Sequence, residues 1–354
     1  MNRNIISETD HFLSGDWGTS SFRLHLVHRE SGRTLERVED SGGIRTVGSD
    51  VISASAAEKR RKFTVYLKSK ITELEQRTSR DLEGVPVVLS GMVTSSIGWR
   101  ELDYSPLPVD LRRPELKMDM MAADREFEHP VLLISGIRSE DDVMRGEEME
   151  LIGLHDLQSR QASSTRRSAD GTSDRPTLYL LPGTHSKHLL VVRDVLTRFR
   201  TYLTGELFNL IASESLIRHS ITPPANPAAD SPAPPFTEGV QAALDYNLLN
   251  RLFGLRARDL LNKTSGQDNF EYLSGLMIGT ELRDLQQLIA DDIPDVILAG
   301  NPQLQSRYAA ALEVSGIPCT LSTPSDYPVV AGHCLVLNRF NTLAASTRMR
   351  RPPA

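Results

Sequence analysis

Apolar and polar positions recur along this chain in two patterns, and together they predict an α/β protein with a duplicated core. Residues 12–29 read as strand, tight polar turn and strand, with 34–38 as a third strand and 41–45 as a loop. Phe63, Leu67, Ile71 and Leu74 then recur at helical intervals within 51–80. A buried strand over 85–91, a second over 131–136 and a helix over 143–157 complete the first half. The second half repeats the opening, with a hairpin over 178–192, a strand over 198–203 and a helix over 206–217. Two helices (237–262, 269–290), a strand (296–300), a helix (303–315) and a short strand (317–321) follow. Segment 158–175 is too poor in apolar residues to offset its ordering entropy and reads as a mobile surface excursion. Residues 223–235, rich in proline and alanine, read as an extended loop. The expected division is a first domain over 1–157, the excursion, a second domain over 176–345 and a tail over 346–354. A cleft is expected between the halves.

A length of 354 residues suits two domains, each with its own core. The net charge of −6 argues against general nucleic-acid binding, and the basic stretches 59–62 and 348–351 read as solvated faces or frayed ends. Cys319 and Cys334 lack metal-site spacing and are too few for a disulfide framework, so they read as buried free thiols. The first residues form no apolar leader, and no run of about 18 apolar residues occurs. The expected setting is the cytoplasm, without a membrane partner. A homodimer stays open.

Chemistry concentrates in the two turns. Asp16-Trp17-Gly18-Thr19-Ser20-Ser21 and Pro182-Gly183-Thr184-His185-Ser186-Lys187 each combine glycine with hydroxyls between apolar strands. Such turns can aim N–H and O–H groups at an anion, and two of them suggest a clamp on a polyphosphate. Asp16 would repel phosphate directly but attract it through Mg²⁺; accepting turn N–H bonds is its ordinary alternative. Lys187 adds a positive charge or is a plain hairpin lysine, and His185 shapes the turn. Asp142-Val143-Met144-Arg145-Gly146-Glu147-Glu148 places three carboxylates around an arginine at a helix entrance. Acids there favour the helix dipole, the stronger reading of that segment alone. The chemical reading makes one of them the acceptor of a substrate proton and gives Arg145 an anionic group. Met92, Ser95 and Trp99 either line a sugar pocket or pack a turn, and Thr204 and Glu206 share that ambiguity. A dinucleotide fold fits less well, because the first turn leads to a strand. No G-x-x-x-x-G-K-[ST] motif occurs.

Asp16-Trp17-Gly18-Thr19-Ser20-Ser21-Phe22-Arg23 resembles the first phosphate motif of the sugar kinase, actin and heat-shock ATPase superfamily. More narrowly, the chain resembles the 2-dehydro-3-deoxygalactonokinase family. The matching blocks include Gly91-Met92-Val93 with Gly98-Trp99, the 142–148 and 181–187 segments, and Leu203-Thr204-Gly205-Glu206-Leu207. Leu273-Ser274-Gly275-Leu276, Ile278-Gly279 and Ala299-Gly300 complete the series. The resemblance implies a two-domain actin-like ATPase fold, a duplicated ribonuclease H-like core. It also implies ATP-dependent phosphorylation of 2-dehydro-3-deoxy-D-galactonate at its 6-hydroxyl, in galactonate breakdown. On this resemblance Asp16 is assigned to Mg²⁺, and Gly18, Thr19 and Ser20 to the terminal phosphates. Gly183, Thr184 and Lys187 join them from the second half, and Gly275, Gly279 and Gly300 are expected to let the nucleotide approach. Asp142 is the leading base with Glu147 its competitor, and Arg145 takes the sugar-acid carboxylate. The chain departs from the family pattern at Asn301-Pro302, at Glu150 in place of glutamine, and at Ala331-Gly332-His333-Cys334 in place of an Ala-Gly-Ile ending. The rivals are a kinase for another sugar or sugar acid, a non-catalytic sensor, and a structural protein of the same fold.

Overall fold

The computed structural model describes residues 9–49, 54–165, 175–224, 232–288, 295–322 and 327–349. Alternating apolar side chains make β1 (His11–Trp17), β2 (Phe22–His28) and β3 (Arg33–Asp40) an antiparallel meander that buries Phe12, Leu13, Trp17, Phe22, Leu24 and Leu26. A short helix, α1 (Ile44–Val47), precedes α2 (Ala56–Thr78). Ser55 and Glu58 start α2 with a reciprocal capping box, and Phe63, Leu67, Ile71 and Leu74 line its buried face. Then come β4 (Val87–Gly91), β5 (Ser105–Pro106), β6 (Val109–Asp110), β7 (Met118–Met121), β8 (Val131–Ile134), β9 (Ile137–Arg138), β10 (Val143–Met144) and α3 (Glu147–Thr165).

The later part holds β11 (Thr177–Leu181), β12 (Ser186–Val192), β13 (Val195–Tyr202), α4 (Thr204–Glu214), α5 (Pro234–Asp245), α6 (Leu248–Asn262) and α7 (Gly266–Leu288). It continues with β14 (Asp295–Leu298), α8 (Pro302–Val314), β15 (Cys319–Leu321) and α9 (Pro328–Met349).

One strand plan occurs twice. The first sheet runs β3-β2-β1-β4-β8, with β7 added antiparallel at its edge; β4 joins β1, and β8 joins β4, in parallel. The second runs β13-β12-β11-β14-β15, again with β11-β12 antiparallel and both later strands parallel. In each, three consecutive strands precede two that join in parallel. This α/β duplication is the actin-like ATPase fold.

Two compact units result, Met1–Gly171 with Asp194–Leu196 and Asp326–Ala354, and Thr172–Arg193 with Thr197–Ser325. The linear division read from the sequence placed 328–345 in the second domain, whereas α9 packs on α3 in the first unit. Glycines allow that crossing: a Cβ on Gly153 would meet the Pro328 carbonyl oxygen at 1.7 Å, and one on Gly332 the Met149 oxygen at 2.3 Å. The sequence reading saw no helix there, and α9 continues through Met349 into the expected tail.

Other boundaries also moved. Residues 158–165 are not part of an excursion but complete α3, since neither glycine nor proline falls between Gly153 and Gly171; 166–174 lie outside the described residues. The expected helix over 237–262 is two helices, because Tyr246 is extended and Asn247 caps α6. Pro234 opens α5 at its first turn, and 225–231 of the expected loop lie outside the described residues. Both cysteines are free; Cys334 is buried and Cys319 half-buried. Among the described residues no helix is long and apolar enough to cross a membrane.

Candidate active site

In the first unit the hairpin register sets Asp16 opposite Arg23, and Arg23 Nη1 donates to Asp16 Oδ2 at 3.1 Å. The turn closes with Gly18 N–H donating to the Ser21 carbonyl at 2.9 Å. Behind it, Ile44 and Arg45 donate their N–H groups to the Gly18 and Thr19 carbonyls. Gly43 permits this approach, because a Cβ there would lie 2.4 Å from the Thr19 oxygen. Residues 41–45, a plain loop by sequence pattern, are the backing of the first turn.

Carboxylates gather around Asp16. Burial pushes its carboxyl above the ordinary range; Arg23 opposes that and Glu147 adds to it. Glu148 is fully buried, and its carboxyl is pushed up to about 8 by burial and then by Glu147. Glu150 is pushed up to about 7 by burial, then by Asp16 and Glu147. All three glutamates occupy the first turn of α3. Glu147 Oε2 accepts the Arg145 N–H at 3.0 Å and Glu148 Oε2 accepts the Gly146 N–H at 2.6 Å, which fixes the entrance to the helix. Gly91, with φ of +88°, ends β4 where a Cβ would meet the Trp17 carbonyl oxygen at 2.7 Å and Asp16 Oδ1 at 3.4 Å. The sequence offered Glu150 only as a departure and did not anticipate Glu148 or Arg23 as members of this cluster.

The 142–148 segment therefore divides. Asp142 closes a turn, taking the Val143 N–H on Oδ1 at 2.7 Å while its own N–H donates to Ser139 Oγ. Arg145 turns inward. Its Nη1 donates to both the carbonyl and the hydroxyl of Thr94 at 2.6 Å, its Nη2 to the Leu102 carbonyl at 3.1 Å, and it stacks over Tyr104. These bonds hold the 94–102 loop, and Arg145 Nε is buried as well. Trp99 is buried against Phe63 in the core, and Met92 packs on that core. Ser95 Oγ donates to the Met92 carbonyl. These three contacts are those of a packed turn.

The second unit builds its turn differently. Gly183 has open space where a side chain would stand, its nearest neighbour being the His185 oxygen at 4.0 Å. Lys187 is buried, and Nζ donates to the His185 carbonyl at 3.3 Å. Gly205 lies directly on the turn, since a Cβ would be 2.5 Å from the Gly183 oxygen. Glu206 donates its N–H to the Thr184 carbonyl at 3.0 Å and pairs through Oε2 with His185 Nε2. Thr204 is buried and donates its hydroxyl to Glu281. Gly300, with φ of +108°, follows β14 close to Pro182, and Asn301-Pro302 is simply the cap and first turn of α8. Gly275 and Gly279 face α5: Cβ atoms there would meet the Phe236 oxygen at 2.0 Å and Ala243 Cβ at 2.8 Å. Helix packing accounts for both without a nucleotide.

The model of the 2-keto-3-deoxy-galactonokinase family matches residues 16–334. The chain belongs to that family. It is 29% identical over 313 residues to the 2-dehydro-3-deoxygalactonokinase of Escherichia coli strain K12, covering 88% of this chain and 92% of the relative. A crystal structure from Sinorhizobium meliloti, of a candidate 2-dehydro-3-deoxygalactonokinase, superposes with a TM-score of 0.72 at 25% identity, covering 93% of this chain and 98% of that one. Family membership makes the chain a kinase and implies ATP and a sugar-acid substrate. Within this 2-keto-3-deoxy-galactonokinase framework, Asp16 and the α3 glutamates Glu147 and Glu150 form one electrostatically coupled group in the first unit.

Proposed function

We propose that this kinase transfers the terminal phosphoryl group of ATP to the 6-hydroxyl of 2-dehydro-3-deoxy-D-galactonate, a step of galactonate catabolism. The observation that carries the reading is the electrostatic coupling of Asp16, Glu147 and Glu150 beside the Gly18–Ser21 turn, with Arg23 paired to Asp16.

The donor set fits a divalent cation. Asp16 supplies hard carboxylate oxygens, and burial lifts its carboxyl although Arg23 pairs with it, so a bound cation would favour its ionised form. Among the described residues no group of three His, Cys, Asp or Glu side chains is placed to hold a metal ion. As the family resemblance implies, Asp16 would hold Mg²⁺, with phosphate oxygens and waters supplying further ligands. When bound, the ion supplies charge neutralisation on the phosphoryl group. In the first unit's turn Thr19 and Ser20 offer N–H and hydroxyl donors to phosphate, with Gly18 shaping the turn; in the second unit the Gly183-Thr184 turn is the corresponding phosphate-binding element. Lys187 fixes the His185 carbonyl in that turn.

For the base we favour Glu147 over Asp142. Glu147 is among the groups that perturb Asp16, and its Oε2 is oriented by the Arg145 N–H. It would accept the substrate hydroxyl proton as the new P–O bond forms. Arg145 serves this reading as support for the 94–102 loop rather than as a ligand for the acid.

ADP release measured over a panel of 2-keto-3-deoxy acids and common sugars tests the assignment. Turnover highest with 2-dehydro-3-deoxy-D-galactonate is the expected result; turnover with a neutral sugar alone would refute it.

A further inference from the structure

Behind the 183–186 turn, the second unit buries polar side chains that take no part in the chemistry above. Glu281, on α7, is 3% exposed. Its Oε2 accepts the Tyr308 hydroxyl at 2.7 Å and the Thr204 hydroxyl, and its Oε1 accepts from His188 Nε2 at 2.8 Å. Each donor leads to a different wall of the turn. Tyr308, from α8, lies 2.8 Å from Ser186 Oγ, which faces the Gly183 N–H at 3.5 Å. Thr204 opens α4, whose next two residues rest on Gly183 and Thr184. His188 lies in β12, just past the turn.

A buried carboxylate costs several kcal/mol unless donors fill its acceptor sites, so apolar packing alone would leave no reason for one here. A buried carboxylate whose acceptor sites are filled rigidifies the groups that fill them. The turn needs such support, because Gly183 has little packing of its own on its open side.

We propose that Glu281 is a positioning residue for the phosphate-binding turn of the second unit. Its carboxylate holds Ser186 through Tyr308, and the start of α4 through Thr204; Ser186 Oγ takes the Gly183 N–H, and together these contacts fix the turn in the geometry that presents Thr184 to a nucleotide. The inference rests on the nucleotide reading of that turn.

The test uses the full chain with Glu281→Gln and, separately, Tyr308→Phe, which keeps the carboxylate and its other two donors. Three quantities are read: amide hydrogen exchange over 183–187 and 204–207, ADP affinity, and KM for ATP and for the sugar acid. For folded Glu281→Gln, exchange rises in both segments, ADP binds more weakly, and KM for ATP rises about tenfold while that for the sugar acid changes less than about twofold. Tyr308→Phe shows a smaller effect centred on 183–187, and it provides the readout if the Glu281 variant does not fold. Unchanged exchange and ADP affinity in the folded variant overturn the inference, as does an equal rise in both KM values. Absence of turnover by the unmodified protein would sink the substrate reading instead, and exchange with ADP binding would still decide the role of Glu281.

Discussion

His333 Nδ1 lies 2.8 Å from Ser14 Oγ, and the same ring reaches Ser90 Oγ through Nε2 at 3.0 Å. Ser14 precedes Asp16 in β1, and Ser90 is the parallel register partner of Asp16 in β4. One imidazole from α9 therefore ties together the two central strands that deliver the first site. All three side chains are buried, and burial pushes the His333 ring down to about 3.

That depression has a signed consequence. Below about pH 6.5 the unfolded chain takes a proton that folded His333 refuses until about pH 3, so stability falls as pH drops through this window. The triple variant Ser14→Ala, Ser90→Ala, His333→Leu replaces the polar bridge by apolar packing and removes the slope. Urea unfolding should show the loss between pH 7 and pH 5 to be about 2 kcal/mol smaller in the variant. Equal losses in both proteins would contradict the assignment. His25, also lowered, remains in both and cancels in the comparison.

Glu148 predicts the opposite slope. Its folded carboxyl keeps a proton up to about pH 8 while the unfolded chain loses it near 4.5, so its contribution to stability fades as pH rises between those values. Glu148→Gln lacks that fade. Relative to the unmodified protein it should gain about 3 kcal/mol between pH 5 and pH 8, read from denaturant midpoints at each pH. A constant difference across the range would show that the carboxyl is not perturbed.

Arg145 separates a support from a ligand. If its guanidinium holds the 94–102 loop, Arg145→Lys should cost about 2 kcal/mol in thermal unfolding, since an ammonium cannot reach the Thr94 and Leu102 carbonyls together and stack on Tyr104. Full stability with a raised KM for the sugar acid alone would restore the carboxylate-binding role read from the sequence.

Gly275→Ala and Gly279→Ala weigh two effects. Alanine improves helix propensity by about 1 kcal/mol, but a methyl group would sit 2.0 Å from the Phe236 oxygen at Gly275, and overpacking of that kind costs about 1–3 kcal/mol. Calorimetry should show a lower Tm for both, with KM for ATP unchanged in the folded protein. A higher KM for ATP at constant Tm would return these glycines to the nucleotide.

The strand plan was legible because it rests on short-range pattern. The 12–29 and 178–192 hairpins, the spacing of Phe63, Leu67, Ile71 and Leu74, and the strands over 85–91 and 131–136 each carry their own periodicity. What was not legible depends on distant partners. Trp99 beside Gly98 looks the same in sequence whether it lines a pocket or packs on Phe63. Gly275 and Gly279 look like ligand glycines until α5 is seen to fill their space. The Asp142 and Glu147 alternatives differ only in what surrounds Asp16, which the fold arranges through β1 and α3. Gly332 weakens the helical signal of α9, although it serves the crossing with α3.

The most direct measurement is phosphorus NMR of the reaction of ATP with 2-dehydro-3-deoxy-D-galactonate, run with the unmodified protein and with Asp16→Asn. The kinase assignment requires a 6-phosphate ester from the unmodified chain and a rate at least about 100-fold lower from the variant. No ester from the unmodified chain, or comparable rates from both, would contradict it.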